Sequence, residues 1–354
     1  MQTVIALDCM GGDNAPDVVI QGISLYLNRI KSIQSPNDLK FLLFGDELVI
    51  KQLLDKYKIN LNFCQIHHTD VSIKNEDKPS EVIRSLSGSS MHLAINAVKE
   101  QQAQAVVSAG NTGALMAISK IYLKMIQGIE RPSIITFLPT KKDDSPCAIL
   151  DLGANAECSP SNLHQFAIMG DAFYRAFIPN SFPKVALLNI GSEVLKGNDL
   201  VKKTADLIST DNTLNYIGYA EPNNIFSGLY DVIVTDGFTG NVALKSIEGT
   251  TSFITNSIKS IFKKNLYNKI ITFLGLPLIY ILKKTVDARK YNGAMLIGLN
   301  GICIKSHGNA DGFAFSYAIE SAIKLVKNNV NEKIKNSLTH LHIDNKKIDN
   351  NETN

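Results

Sequence analysis

No run of apolar residues in this chain is long enough to cross a bilayer. The longest, Ile270 to Leu282, covers 13 residues and is broken by Thr272, Gly275 and Pro277, against the roughly 20 that a spanning helix requires. A membrane can be touched by such a segment but not crossed. Charge of one sign is also scarce: a net value of +3 is too small to argue for nucleic acid, and no zinc-type, helix-turn-helix or aromatic-basic pattern accompanies it. The five cysteines, Cys9, Cys64, Cys147, Cys158 and Cys303, contain no Cys-x-x-Cys pair and follow no secretory signal, which argues against a disulfide framework and for a reducing, cytosolic compartment. His67-His68 has no partner at metal-ligand spacing, so no metal is expected. A Gly-x-Gly-x-x-Gly fingerprint, a Gly-x-Ser-x-Gly elbow and a Walker A loop are all missing.

What is present reads as an enzyme-sized α/β protein. At 354 residues, 45% hydrophobic and 19% charged, the chain is long enough to bury a substantial core. Short apolar runs at Val4 to Leu7, Phe41 to Phe44, Leu61 to Cys64, Ala105 to Val107, Ile134 to Phe137, Ala148 to Leu150, Val185 to Leu188 and Val232 to Val234 predict strands buried on both faces. Amphipathic stretches at 17–31, 92–100, 112–126, 161–177 and 198–209 predict the helices between them, and Met295 to Ile304 followed by Gly312 to Val326 predicts a further strand region and helix. The alternation points to a three-layer, mostly parallel sheet, Rossmann-like, with its polar glycine-rich loops gathered on one rim beyond the strand ends. One catalytic domain is expected over 1–328, with a helical segment projecting at 250–290. A polar tail, frayed at its end, is expected over 329–354.

Two stretches share one layout. Val107-Ser108-Ala109-Gly110-Asn111-Thr112-Gly113 and Val234-Thr235-Asp236-Gly237-Phe238-Thr239-Gly240 each run from an apolar strand through a hydroxyl residue, a glycine, a threonine and a second glycine. Glycines let the backbone turn with its amide hydrogens inward, and the helix that follows adds its positive end, so both junctions suit a phosphate. The plain alternative, that small polar residues simply make tight turns, is weaker for two matching loops than for one.

Further clusters occur in order: Asp8-Cys9-Met10-Gly11-Gly12-Asp13-Asn14-Ala15-Pro16, Asp151-Leu152-Gly153-Ala154-Asn155, Asn189-Ile190-Gly191-Ser192-Glu193 with Lys196-Gly197, Asp236 to Asn241 with Lys245, and Asn292-Gly293-Ala294 with His307-Gly308. With the Ser108 loop, this set closely resembles the acyl carrier protein-dependent phosphate acyltransferase (PlsX) family, from residue 1 to about residue 326. The resemblance implies a fold like that of phosphotransacetylase and isopropylmalate dehydrogenase. It also implies attack of inorganic phosphate on the thioester of a long-chain acyl carrier protein, giving acyl phosphate as an early step of phospholipid synthesis. It implies a homodimer with no metal or organic cofactor, feeding a membrane glycerol-3-phosphate acyltransferase. The sequence departs from the family at Cys9, where relatives usually carry alanine, at Leu86-Ser87-Gly88, where many carry basic residues, and around Tyr219 to Ile225.

Phosphate is itself the nucleophile in such a reaction, so the site must hold one anion and stabilise a second developing charge. The catalytic candidates are Asn241, Lys245, Lys196, Asp236 and His307. Those for binding phosphate or substrate are Asp8, Gly11, Gly12, Asp13, Gly110, Asn111, Thr112, Gly113, Asn155, Glu193, Gly237, Thr239 and Gly240. Each has a plain alternative. Asp8 and Asp13 can cap the helix near Pro16, Lys196 and Lys245 can be solvated helix residues, and His307 is either the general acid for the departing thiol or a turn residue. Cys9 reads as a small buried residue. The rival classes are a nicotinamide-dependent dehydrogenase of related architecture and a non-catalytic carrier- or lipid-binding scaffold.

Residues 251–290 hold seven lysines and Arg289 against Asp287 alone, +7, leaving −4 for the rest of the chain. Three uses are open: a buried dimer interface, docking of an acidic carrier protein, and contact with an anionic membrane. In the third, Leu274, Leu276, Leu278 and Ile279 would insert beside Lys263, Lys264, Lys269, Lys283 and Lys284. The preferred expectation is membrane contact at the tip and dimer contacts at the base, for a cytoplasmic, peripherally membrane-associated protein.

Overall fold

The computed structural model describes residues 2–30, 38–74, 76–78, 81–83, 87–142, 145–193, 195–264, 275 and 287–338. Among the described residues eleven strands, β1 (Thr3–Asp8), β2 (Leu39–Gly45), β3 (Cys64–His68), β4 (Ala105–Ser108), β5 (Ser133–Leu138), β6 (Cys147–Leu150), β7 (Lys184–Leu188), β8 (Asn215–Ala220), β9 (Val232–Val234), β10 (Ala294–Ile297) and β11 (Ile302–Lys305), form one sheet. Their order is β3-β2-β1-β4-β11-β10-β5-β6-β9-β7-β8. Helices α1 (Asp17–Ile30), α2 (Glu47–Lys56), α3 (Ser90–Lys99), α4 (Thr112–Leu123), α5 (Pro160–Phe177), α6 (Asp199–Ser209), α7 (Gly237–Lys263) and α8 (Gly312–Lys327) cover it. In β1, Ile5 and Leu7 enter the core beneath α1 and α8, while Ala6 enters the one beneath α3 and α4. Burial on both faces is why the strand is apolar throughout rather than alternating.

Three local expectations need revision. Leu61 to Phe63 is a 3-10 turn, because the Asn60 side chain accepts from the Asn62 amide, and the strand begins only at Cys64. The strand region from Met295 to Ile304 is two antiparallel strands, with Met295 paired to Ile304; the chain reverses at Gly298, whose φ of +97° suits glycine. The body also continues past residue 328: 330–338 is helical, and Val330, Ile334 and Leu338, spaced four apart, join the main core.

The larger revision concerns direction. β1, β2, β3, β4 and β11 pair in parallel, and so do β6, β7, β8 and β9. Between the blocks come three successive antiparallel pairings, β11 with β10, β10 with β5 and β5 with β6. An odd number of reversals turns the second block against the first. The glycine-rich loops therefore do not share one rim. Those after Asp8, Ser108 and Lys305 lie on a first edge, and those after Leu150, Leu188 and Val234 on the opposite, second edge.

Helix α7 starts on the second edge. Its Leu244 and Ile247 pack on the core formed by β6, β9 and Ile225. In its later turns Phe253 is 72% and Ile254 50% exposed. Most of the remaining basic segment, including Leu274, Leu276, Leu278, Ile279, Lys269, Lys283 and Lys284, lies outside the described residues.

Candidate functional site

On the first edge the site is built around Asp8, the last residue of β1, which is 1% exposed. Its carboxylate accepts hydrogen bonds from the hydroxyls of Ser90 and Ser108, both at 2.6 Å, and from the Met10 amide at 3.3 Å. Burial pushes its pKa up, and these donors pull against that shift. Asp8 is thus a buried strut rather than a helix cap. It clamps β1 to the Ser108 loop, and Gly11 packs so closely on its carboxylate and on the Gly110 amide that a β-carbon there would collide. Gly12, with φ of +105°, lies against Ala109 and Gly308. The Asp13 amide donates to the Gly308 carbonyl at 2.9 Å. Three loops from distant parts of the chain thereby meet within hydrogen-bonding distance.

The Ser108 loop ends at Asn111, which caps α4: its Oδ1 accepts from the Ala114 amide at 3.0 Å, and its Nδ2 donates to the Asp77 carbonyl at 3.3 Å. Asn111 is consequently a positioning residue more than the side-chain donor to phosphate that its place in the sequence predicts. Ahead of Ala114, the amides of Thr112 and Gly113 belong to the first turn, where no intrahelical acceptor exists. They carry the positive end of the helix dipole.

A residue absent from the sequence-derived candidates completes this edge. Lys305 ends β11, and its Nζ donates to the carbonyls of Ala109, at 3.3 Å, and Ser306. Burial lowers its pKa to about 8, against the opposing pull of the Asp8 and Asp13 charges. A lysine closing the apolar run Ile302-Cys303-Ile304, directly before Ser306-His307-Gly308, was the available signal. Next to it, the His307 amide donates to Asn292 Oδ1 at 3.1 Å, while Asn292 Nδ2 donates to Ser306 Oγ at 2.8 Å. This fixes the strand end that presents the imidazole.

The second edge has the same plan with a different outcome. Asp151, 0% exposed, accepts from the amides of Ile134, Ala154 and Asn155 at 3.0, 3.0 and 2.8 Å and from Asn155 Nδ2 at 2.8 Å. Burial raises its pKa as it does for Asp8. Asn155 also donates to the Pro132 carbonyl at 2.7 Å, so it is a strut and not a group facing an anion. Asp236 caps α7, accepting from the Thr239 amide and hydroxyl at 2.8 Å each. The Gly237 amide donates to the Asn155 carbonyl at 2.8 Å, and the Gly240 amide to the Asp236 carbonyl at 2.9 Å. Those amides are already engaged and a carboxylate already occupies the helix end, so the open anion nest expected from Gly237 to Gly240 is not formed. Gly240 is required because the Asp151 carbonyl leaves no space for a β-carbon.

Of the remaining candidates, Asn241 lies against Gly153, and Glu193 and Lys196 are exposed on the loop after β7. Lys245 pairs with Glu248 at 2.8 Å, and Glu248 Oε1 lies 3.9 Å from His307 Nε2. Helix α7 therefore runs from the second edge to the first and brings Lys245 and Glu248 to the His307 side. Cys9 is buried with its thiol pKa pushed well up, which fits the reading of a small core residue.

Comparison with known proteins agrees with this architecture. The phosphotransacetylase of Streptococcus pyogenes superposes with a TM-score of 0.59 at 14% identity, covering 92% of this chain and 94% of that one. The EutD phosphotransacetylase of Staphylococcus aureus gives 0.56 at 16% identity over the same shares. These likenesses concern the fold. Residues 3–333 match the family described as fatty acid synthesis protein. A phosphate acyltransferase of Neorickettsia sennetsu is 45% identical over 347 residues, 95% of this chain and 97% of that protein. One of Paramagnetospirillum magneticum is 43% identical over 338 residues, 95% and 94%. A three-layer fold shared with phosphotransacetylases, together with identity at this level along nearly the whole length, makes the chain an enzyme of the phosphate acyltransferase (PlsX) family.

Proposed function

We propose that this enzyme transfers a long-chain acyl group from acyl carrier protein to inorganic phosphate. The observation that carries the reading is the first edge, where the Lys305 ammonium and the amino end of α4 flank one loop, Ala109 to Asn111. Together they offer a phosphate a cation and two first-turn amides, backed by the Asp8 carboxylate that holds the loop. Hydrogenphosphate attacks the thioester carbonyl, the developing oxyanion is stabilised by fixed donors, and the carbon–sulfur bond breaks. The proton lost by phosphate ends on the departing thiolate, with His307, beside Glu248, placed to relay it. No covalent acyl-enzyme is needed, since the nucleophile is ionised already.

The test is release of free carrier thiol from acyl carrier protein, dependent on added phosphate, with acyl coenzyme A and NAD as controls. A thioester left intact in phosphate would refute the reading. A pH profile tests the site more narrowly. Because the Lys305 pKa is lowered to about 8, its charge is present below that pH and is lost as pH rises through it. The KM for phosphate is therefore expected to climb above about pH 8, by roughly tenfold per unit at the steepest, and Lys305→Arg, which stays charged, should flatten that rise. An identical rise in both proteins removes Lys305 from phosphate binding.

The projecting, apolar face of α7 supports a homodimer with contacts at its base. The basic character of 251–290 supports delivery by an acidic carrier protein and contact of the tip with an anionic membrane. Among the described residues no helix is long and apolar enough to cross a membrane. We place the enzyme in the cytoplasm, peripherally on the membrane, beside a glycerol-3-phosphate acyltransferase that consumes its product.

A further inference from the structure

A cleft of about 330 Å³ opens on the α5 and α8 face of the sheet, at the first edge. This volume falls within the roughly 300–1,000 Å³ typical of small-molecule sites. Its two walls differ in character. One is apolar, built from Phe137 of β5 with Phe173, Phe177 and Ile178 from the end of α5; the three phenylalanine rings lie 4.8 to 5.0 Å apart. The other is polar, with Lys290, Asn292, Ser321 and Lys324. Tyr317 and Glu320 of this wall are held by Arg29 of α1, which stacks 4.1 Å from the tyrosine ring centre and pairs with the glutamate at 3.3 Å.

The strap Tyr291-Asn292-Gly293 closes the cleft and is pinned from both sides. Thr136 Oγ1 donates to the Tyr291 carbonyl at 3.1 Å, and Ser321 Oγ to that of Gly293 at 3.4 Å. Asn292 is the joint between this cleft and the candidate site, since the same side chain that lines the cleft holds Ser306 and the His307 amide. We infer that the cleft seats the fatty acyl chain of the thioester substrate, with methylenes along the phenylalanine wall and the carbonyl end at Asn292, next to His307. A chain laid along this wall exchanges water for aromatic carbon at about 0.8 kcal/mol per methylene. Asn292, which lines the cleft and accepts from the His307 amide, is the link that selects an acyl substrate over other apolar ligands. The inference rests on the acyl-transfer reading above.

Ser321→Phe would fill the cleft from the polar wall without touching Lys305 or the Ser108 loop. The ratio of kcat/KM for palmitoyl to butyryl carrier protein is then expected to fall at least about tenfold, or 1.4 kcal/mol, the burial of roughly two methylenes. An unchanged ratio overturns the assignment. A second measurement does not depend on turnover. The chain contains no tryptophan, so the fluorescence of a Phe177→Trp variant reports on this wall alone. A dibrominated stearate, which quenches on contact, should quench it, and adding Ser321→Phe should abolish the quenching. Fluorescence that stays unquenched, or quenching that survives the second substitution, overturns the cleft assignment. Wild-type protein that releases no thiol in phosphate, yet is quenched through Phe177→Trp, would instead sink the reaction and leave the lipid site standing.

Discussion

Asp151→Ala should cost about 4 kcal/mol of folding stability, read as a shift of the urea unfolding midpoint. Asp151 is fully buried and receives four hydrogen bonds, from Ile134 at the start of β5, from Ala154 and from both nitrogens of Asn155. Removing the carboxylate leaves buried donors without acceptors at roughly 1–3 kcal/mol each, which is a large part of the 5–15 kcal/mol that holds a typical domain. The damage would spread because Asn155 also receives the Gly237 amide, the first of α7. The corresponding change at Asp8 would free the hydroxyls of Ser90 and Ser108 and the amides of Met10 and Gly11, and the two hydroxyls can turn to other acceptors where amides cannot. A loss under about 1 kcal/mol for Asp151→Ala would mean that the second-edge loop finds other partners and that the strut does not organise it.

Lys305→Met should reduce kcat/KM for phosphate by about 10²- to 10³-fold, the range seen when one preorganised donor to a developing charge is removed. Methionine keeps the length and most of the volume of the lysine stem, so the loss would report the ammonium rather than a cavity. The effect should appear mainly in phosphate dependence, since Lys305 sits on the Ala109 carbonyl beside the α4 end, and a parallel melting curve would separate it from unfolding. Activity within a few-fold of wild type, with a normal melting curve, would move the anion away from the first edge. The second edge would then be the place to look, where Asn241 stands about 10 Å along the α7 axis from Glu248.

The strands whose side chains are apolar on both faces were legible in the sequence, as β1, β4 and β9 illustrate, because burial between two helical layers leaves no polar alternation. β8 was not: Asn215 to Ala220 is a half-exposed edge strand containing Gly218 and an asparagine, and its composition resembles a loop. The helix turn at 330–338 was hidden for a similar reason, since Val330, Ile334 and Leu338 are three apolar positions in an asparagine- and lysine-rich stretch. The loops after Asp8, Ser108, Asp151 and Asp236 stood out as clusters, and the structure does place them at strand ends. Their equivalence did not carry through. In the first, Asn111 caps a helix that starts after the glycine; in the second, Asp236 caps one that starts on it, and a shift of that size decides which amides remain outward.

By itself the sequence determined the strands of the core, the glycine-rich turns and the membership of a family, because hydrophobic period, turn chemistry and ordered motifs are all written locally along the chain. Only the tertiary structure decided that the two parallel blocks run against each other, that Asp8 and Asp151 are struts, and that Lys305 joins Asp8, Asp13 and the α4 end. Each of these depends on which distant strands pair and in which direction. Pairing of that kind is settled by burying whole faces of the sheet together, and no local window of residues records it.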